Sequence, residues 1–125
     1  MMKNSLILAG IAALFANFAS ADGQRAFKKC ASCHSIDEGG KNKNGPNLWN
    51  IMNRGIAKSE GFKYSKKFSQ WSESFPEGWD ETLMDLWLTD SKKLVKGTKM
   101  RVKVKKEKDR LAIIEYLKEN GVQPE

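Results

Sequence analysis

Cys30-Ala31-Ser32-Cys33-His34 is the stretch of this 125-residue chain with the most specific chemistry. Residues three apart lie on the same side of a helix, so the two thiols can bond to one edge of a flat ligand. The histidine that follows can then bind a metal ion at the centre of that ligand. This spacing predicts a haem c attached covalently through Cys30 and Cys33, with His34 as the proximal iron ligand.

Three other uses of these residues compete with haem. Cys30 and Cys33 could form a structural disulfide, or a redox-active dithiol at a strand-to-helix turn. The sequence has no βαβ pattern that would provide such a turn. A structural zinc site needs four ligands, and the chain has two cysteines and one histidine. Haem is therefore favoured over all three alternatives.

The first 21 residues are typical of a secretory signal peptide. Lys3 precedes an almost wholly apolar run over residues 5–18, and Ala19-Ser20-Ala21 has the small residues of a cleavage site. The run is shorter than the roughly 20 apolar residues of a membrane-spanning helix. We predict cleavage after Ala21 and a periplasmic domain over residues 22–125, whereas a retained signal would anchor the protein to the membrane.

The chain is basic, with 22 lysine and arginine residues against 15 acidic residues and a net charge of +7. A positive surface favours acidic partners. Nucleic acid is not expected among them, because the chain is predicted to be exported and has no nucleic-acid-binding motif.

Short helical patterns alternate with long loops after residue 21. Turn residues fill the stretch from Ser35 to Asn47. Loops of this length in a compact domain need something to pack against, and a large apolar ligand would supply it. The sequence therefore predicts an all-α fold of short helices and long loops wrapped around one haem. The predicted helices run from Asp22 to Cys33, Ser65 to Ser69, Glu81 to Thr89 and Asp109 to Asn120, with one helical turn at Leu48 to Met52.

The second protein ligand to the iron must differ from histidine, because His34 is the only histidine. Methionine is the usual alternative, and it raises the reduction potential. Met52 and Met84 stand in apolar patterns and are most simply core residues. Met100 ends a polar turn, where packing explains a methionine less well. Met100 is therefore the predicted sixth ligand, with a packing role as the alternative.

In its motifs and their order, the chain resembles class I cytochrome c, of the mitochondrial and bacterial c2 type. The resemblance spans most of the chain after the signal. Its motifs are Gly23-x-x-x-Phe27, Cys-x-x-Cys-His, Gly45-Pro46-Asn47-Leu48, Arg54, Gly61-Phe62-x-Tyr64-Ser65, Trp79, Glu81-Thr82-Leu83-Met84, Gly97-Thr98-Lys99-Met100 and Tyr116-Leu117-Lys118.

The resemblance implies the class I cytochrome c fold, with the first and last helices crossing. It implies that the Pro46 carbonyl accepts a hydrogen bond from His34, and that Met100 binds the iron. It also implies that Tyr64 and Trp79 donate hydrogen bonds to a haem propionate. Arg54 would offset the charge of that carboxylate, whose burial without donors is costly. Ordinary aromatic packing is the alternative for the two aromatic residues. The residues at the predicted helix crossing are Gly23, Phe27, Ile113 and Tyr116.

The function implied by the resemblance is electron transport rather than catalysis. A haem with two protein ligands has no open position for a substrate. The implied partners are a cytochrome bc1-type quinol–cytochrome c reductase and a cytochrome c oxidase or similar acidic redox protein, and the carrier is expected to be a monomer. A haem enzyme such as a peroxidase, in which Met100 leaves the iron, is the alternative.

Lysines are implied to ring the exposed haem edge and to steer the protein toward acidic docking faces. The alternative is that they form the solvated face of a lysine-rich protein. The lysines in question are Lys28, Lys29, Lys92, Lys93, Lys96 and Lys99.

The chain departs from the family pattern in three places. Trp87 stands where a tyrosine is usual beside the methionine ligand. Ser91 and Lys96 stand where prolines are usual, which predicts a loop with more freedom before Met100. Residues from Trp71 to Phe75 form an insertion for which the sequence alone gives no function.

Overall fold

The structure is a computed structural model that describes residues 21–125. Apart from Ala21, the predicted signal peptide lies outside the described residues. Within the described range the chain forms five helices and no strand, which confirms the predicted all-α fold. None of these five helices is long and apolar enough to cross a membrane. The helices are α1 over residues 21–31, α2 over Lys66–Ser72, α3 over Glu81–Thr89, α4 over Ser91–Leu94 and α5 over Glu107–Glu119.

Most predicted helices are present, with small shifts at their ends. α3 has the predicted bounds, and the Asp80 side chain caps it by accepting a hydrogen bond from the Leu83 N–H at 2.7 Å. α2 begins one residue later than predicted because Ser65 is its N-cap, and the Ser65 hydroxyl accepts from the Phe68 N–H at 3.2 Å. α5 begins two residues earlier than predicted and ends one residue earlier.

The helical turn predicted at Leu48 to Met52 is wrong. This segment forms turns, and Asn50 has a φ of 60°, a left-handed conformation that interrupts a helix. The Asn50 N–H donates to the Asn120 carbonyl at 2.8 Å, at the end of α5. The Ile51 N–H donates to the Leu48 carbonyl at 3.2 Å, which closes a turn, and the contact with Asn120 holds Asn50 outside a helical conformation.

The short helix α4 was not predicted. Asp90 begins it by accepting a hydrogen bond from the Lys93 N–H at 3.2 Å, and the same carboxylate lies 3.6 Å from Lys103 Nζ. The helix lies immediately before the polar turn that carries Met100, so its position affects that turn.

The first and last helices cross at the residues that the resemblance implies. A Cβ atom on Gly23 would lie 2.6 Å from the Cβ of Tyr116, so no side chain fits between the helices at this point. The rings of Phe27 and Tyr116 lie 5.2 Å apart, a distance typical of aromatic pairs. Ile113 is 1% exposed and is one of the most buried residues of the core.

Two ion pairs join α3 to α5. Arg110 Nε lies 2.7 Å from Asp85 Oδ1, and Lys118 Nζ lies 3.0 Å from Glu81 Oε1. The second pair is more exposed and stabilises the fold less. The main core beneath these helices is apolar and includes Leu83, Met84, Trp87, Leu88, Ile113, Ile114 and Leu117.

Candidate cofactor site

A cavity of about 350 Å³ brings the predicted site residues together. Its volume lies within the range of small-molecule and cofactor pockets. Most of its wall is apolar and comes from the helices and from the loops between α1 and α3. The predicted site residues that line the cavity are Cys30, Cys33, His34, Arg54, Tyr64, Trp79 and Met100.

His34 is oriented for metal binding by its neighbours. Its Nδ1 lies 2.7 Å from the Pro46 carbonyl, as the resemblance implies, so Nδ1 carries the proton and Nε2 keeps a lone pair. The ring is 7% exposed, and burial lowers the pKa of His34, which keeps the imidazole neutral at neutral pH. Gly45 leaves room for the ring, because a Cβ atom there would collide with it.

The two cysteines are not joined in a disulfide. Cys30 is buried at the cavity wall, and this burial, with the nearby Cys33, raises the pKa of Cys30 to about 11. A redox-active dithiol instead needs a thiol of lowered pKa, so the geometry disfavours that alternative. The Cys30 carbonyl accepts the N–H groups of Cys33 and His34 at 3.0 Å each, which sets the three side chains at the end of α1.

A zinc site is also disfavoured. Within residues 21–125, no group of three or more histidine, cysteine, aspartate or glutamate side chains is arranged to hold a metal ion.

Arg54 presents an incomplete hydrogen-bond set at the cavity. Its two terminal nitrogens donate to the carbonyls of Trp49 at 2.8 Å and Asn47 at 2.6 Å, but its buried Nε has no partner. No ion pair within residues 21–125 includes Arg54, and burial lowers its pKa. A carboxylate in the cavity would satisfy both the orphaned N–H and the charge. This feature fits a haem propionate.

Tyr64 and Trp79 also line the cavity, and Tyr64 interacts with Arg54. The Tyr64 oxygen accepts a hydrogen bond from the Ser59 N–H at 2.9 Å, which leaves its O–H free to donate. Trp79 is 6% exposed. Both side chains also pack in the aromatic core, so the geometry is compatible with a propionate contact and with packing alike.

Two methionines reach the cavity. Met100 is half-buried and packs against the edge of the core. Met84, predicted to be a core residue, is 3% exposed and also forms part of the cavity wall. Met52 packs against the core but does not line the cavity.

The six predicted docking lysines divide into two groups, although all are exposed. Lys29 and Lys99 line the cavity, and the other four do not. Lys63 and Arg101 also line it and were not predicted. Lys63 stands inside the motif from Gly61 to Ser65, so its place in that motif was a usable signal. The predicted lysines that do not line the cavity are Lys28, Lys92, Lys93 and Lys96.

Asn47 is a supporting residue whose role the sequence did not reveal. Its side-chain nitrogen donates to Ser35 Oγ at 2.8 Å and to the Asp37 carbonyl at 2.9 Å. Its oxygen accepts from the Trp49 N–H at 3.1 Å. These bonds hold the loop after His34 against the segment that leads to Arg54. The only indication of this role in the sequence was the position of Asn47 directly after Gly45-Pro46.

The segment from Trp71 to Phe75, predicted to be an insertion, forms part of the aromatic core beside the cavity. Trp71 lies 5.8 Å from Trp79 and 6.4 Å from Trp87, and the latter two are 5.7 Å apart. Phe75 packs on Trp71 at 4.8 Å. Trp87, which stands where a tyrosine was expected, is thus held between the cavity and this segment.

Comparisons with known proteins agree with this geometry. A family model described as cytochrome c matches residues 20–121. Cytochrome c of Nigella damascena is 35% identical over 103 residues, which cover 81% of this chain and 89% of that protein. Cytochrome c-550 of Novispirillum itersonii is 34% identical over 106 residues, covering 78% and 95%. Cytochrome c2 of Rhodoblastus acidophilus is 41% identical over 78 residues, covering 62% and 69%.

The chain therefore belongs to the cytochrome c family, with the class I all-α fold. It binds haem c covalently, with iron, and Cys30 and Cys33 of its Cys-x-x-Cys-His motif are present in the cavity wall. At the level of the family, the protein is an electron carrier.

Proposed function

We propose that this protein is a periplasmic carrier that moves single electrons from a quinol–cytochrome c reductase of the bc1 type to a terminal oxidase or a similar acceptor. His34 and Met100 would be the two protein ligands that hold the iron in this proposal. The observation that carries it is that one cavity is lined by Cys30, Cys33, His34 and Met100 together.

The bound haem supplies an iron that alternates between the ferric and ferrous states. Cys30 and Cys33 hold it covalently, and the hydrogen bond from His34 to Pro46 fixes the imidazole ring, which stabilises the ligand geometry. Arg54 binds a propionate through its free N–H, with Tyr64 and Trp79 as further donors. The apolar wall excludes water, and Met100 keeps the sixth position closed to exogenous ligands.

The lysines at the cavity provide the docking surface. Lys29, Lys63 and Lys99 are exposed and line the cavity. A positive rim attracts acidic partners and speeds their encounter at low ionic strength. The partner is therefore a redox protein with an acidic face.

Carbon monoxide binding tests the carrier against a haem enzyme. The reduced wild-type protein is expected to bind little carbon monoxide, because Met100 occupies the sixth position. Met100→Ala removes that ligand and serves as the positive control, which is expected to bind carbon monoxide fully. Rapid, complete binding by the wild type would instead favour a haem enzyme with an open position.

The periplasmic location rests on the signal-like sequence of residues 1–21. N-terminal sequencing of the protein purified from its host is expected to begin at Asp22, and the protein is expected in the periplasmic fraction. A chain that begins at Met1 and sediments with membranes would mean that the segment is a retained anchor.

A further inference from the structure

Ser91 is joined to the main chain at Met100 by its side chain. The residue is 0% exposed, and its hydroxyl donates to the Met100 carbonyl at 2.8 Å. The same oxygen accepts a hydrogen bond from the Val102 N–H at 2.9 Å. The Ser91 N–H donates in turn to the Val102 carbonyl at 3.1 Å. The hydroxyl also lies 3.5 Å from the Val102 carbonyl, so four hydrogen-bond contacts join Ser91 to the segment that begins at Met100.

Ser91 also holds the other end of the turn before Met100. Its carbonyl accepts the Val95 N–H at 2.9 Å, and the Val95 carbonyl accepts the Thr98 N–H at 3.1 Å. The turn between Val95 and Met100 is therefore closed at both ends by contacts with a single residue.

The neighbouring chain offers few alternatives to these bonds. Residues 101–106 have no regular secondary structure. The next main-chain bond along this segment joins the Val104 N–H to the Leu88 carbonyl at 2.8 Å. In the described chain, Ser91 supplies the side-chain hydrogen bonds to the main chain of Met100 and Val102.

We propose that Ser91 is a positioning residue that holds the Met100 turn closed over the cofactor cavity. The proposal rests on the proposed function, because it requires Met100 to be an iron ligand. The proline that is usual in the family at this position would favour the closed turn by restricting the open turn. Ser91 favours the closed turn in another way, because its hydrogen bonds stabilise the closed turn itself.

Serine suits this role because one hydroxyl both donates and accepts. Alanine at position 91 would leave the Met100 carbonyl and the Val102 N–H without their partner in a partly buried setting. Proline at position 91 would lose the hydroxyl and also the N–H that bonds to Val102. Threonine keeps the hydroxyl and adds one methyl group.

The test is the rate at which imidazole binds to the ferric holoprotein at saturating imidazole, where opening of the Met100 turn limits the rate. Ser91→Ala is expected to bind about tenfold faster than the wild type, the size of effect that loss of one buried hydrogen bond gives. Ser91→Thr is expected to stay close to the wild-type rate. Ser72→Ala is the matched control, because the Ser72 hydroxyl donates to the Ser69 carbonyl in α2 at 2.6 Å, outside the turn. Its rate is expected to be unchanged.

An unchanged imidazole rate in Ser91→Ala would overturn the proposal, even if the melting temperature falls, since a structural role alone predicts that pattern. If wild-type ferric protein lacks the red absorption band of iron–sulfur ligation, the proposed ligation fails and the proposal fails with it. The band present with an unchanged rate overturns the positioning role alone.

Hydrogen exchange in the wild type provides a second test that does not depend on whether Ser91→Thr folds. Hydrogen exchange at the Val102 amide should be as slow as at the Val104 amide, because the Val102 N–H is bonded to Ser91 Oγ and the Val104 N–H is bonded to the Leu88 carbonyl. Fast exchange at Val102 with slow exchange at Val104 would contradict the proposal.

Discussion

Gly23 shows how one missing side chain sets the crossing of two helices. A Cβ atom there would lie 2.6 Å from Tyr116 Cβ and 2.9 Å from its ring. Both contacts are shorter than packed carbon atoms allow, and Tyr116 is itself packed against Phe27. The position therefore demands glycine although it lies inside a helix.

We predict that Gly23→Ala lowers the free energy of unfolding by about 1–3 kcal/mol, through overpacking. The effect opposes the gain of about 1 kcal/mol that alanine gives over glycine at an ordinary helix position. Denaturant unfolding of the ferric protein measures it. Gln24→Ala, at the exposed neighbouring position, is the control and should change stability little. A Gly23→Ala protein more stable than the wild type would contradict the close crossing.

The shape of the Arg54 side chain matters as well as its charge. The terminal nitrogens of its guanidinium group donate to the carbonyls of Asn47 and Trp49, and Nε remains for a third acceptor. We predict that Arg54→Lys, which keeps the charge, lowers the free energy of unfolding by about 1–3 kcal/mol because buried carbonyls lose donors. Arg25→Lys is the same change at a side chain that is 73% exposed, and it should shift stability by less than about 0.5 kcal/mol. Equal effects of the two changes would argue against the buried fork.

The helices were predicted correctly where no contact with a distant residue competed with the local sequence pattern. α3 has its predicted bounds because Asp80 is a strong N-cap followed by an apolar stripe. The turn at Leu48 to Met52 was mispredicted because Asn50 bonds to Asn120, seventy residues away, in a left-handed conformation. α4 was missed because a four-residue helix has almost no periodicity, and its stability comes from Asp90 and Ser91 contacts.

The residue before position 96 does not have the helical conformation that a following proline disfavours. Val95 has φ −127° and ψ 93°, outside the α region. We predict that Lys96→Pro slows saturating imidazole binding to the ferric protein about twofold to fivefold, because proline disfavours the open turn by about 0.4–1 kcal/mol. Lys96→Ala removes the same charge without the ring and should leave the rate near that of the wild type. Faster binding by a folded Lys96→Pro protein would mean that the backbone at Lys96 does not accept proline.

Across the whole molecule, the sequence predicted the residues of the cofactor site better than the residues that hold the surrounding loops in place. The position of the thiols, the imidazole and Met100 in one cavity could be predicted because few residue types can attach haem or bind its iron. The roles of Asn47 and Ser91 could not, since asparagine and serine are common in loops and their bonds depend on chain segments brought together only by folding. The place of Trp71 and Phe75 in the aromatic core depended on the same long-range packing.

The distribution of charge around the cavity predicts how the protein meets its partners. Electron transfer to an acidic redox partner should slow as salt rises, because the Debye length falls from about 10 Å at 0.1 M to about 3 Å at 1 M. Lys99→Glu, at the cavity, should slow association more than Lys108→Glu, which is exposed on α5 and does not line the cavity. Lys118 is a poorer control, since its ammonium already binds Glu81 and Glu115. Equal slowing by both charge reversals would indicate a general solvated face rather than a docking rim.

The red end of the ferric absorption spectrum tests whether His34 and Met100 are the protein ligands of a covalently bound haem. The weak band of iron–sulfur ligation is expected in the wild type at neutral pH. The band should be lost in Met100→Ala while the haem stays attached through acid–organic extraction. It should persist in Met84→Leu, which changes the other methionine of the cavity wall. A folded wild type without the band would show that Met100 does not bind the iron. A band that survives Met100→Ala and disappears in Met84→Leu would show the same.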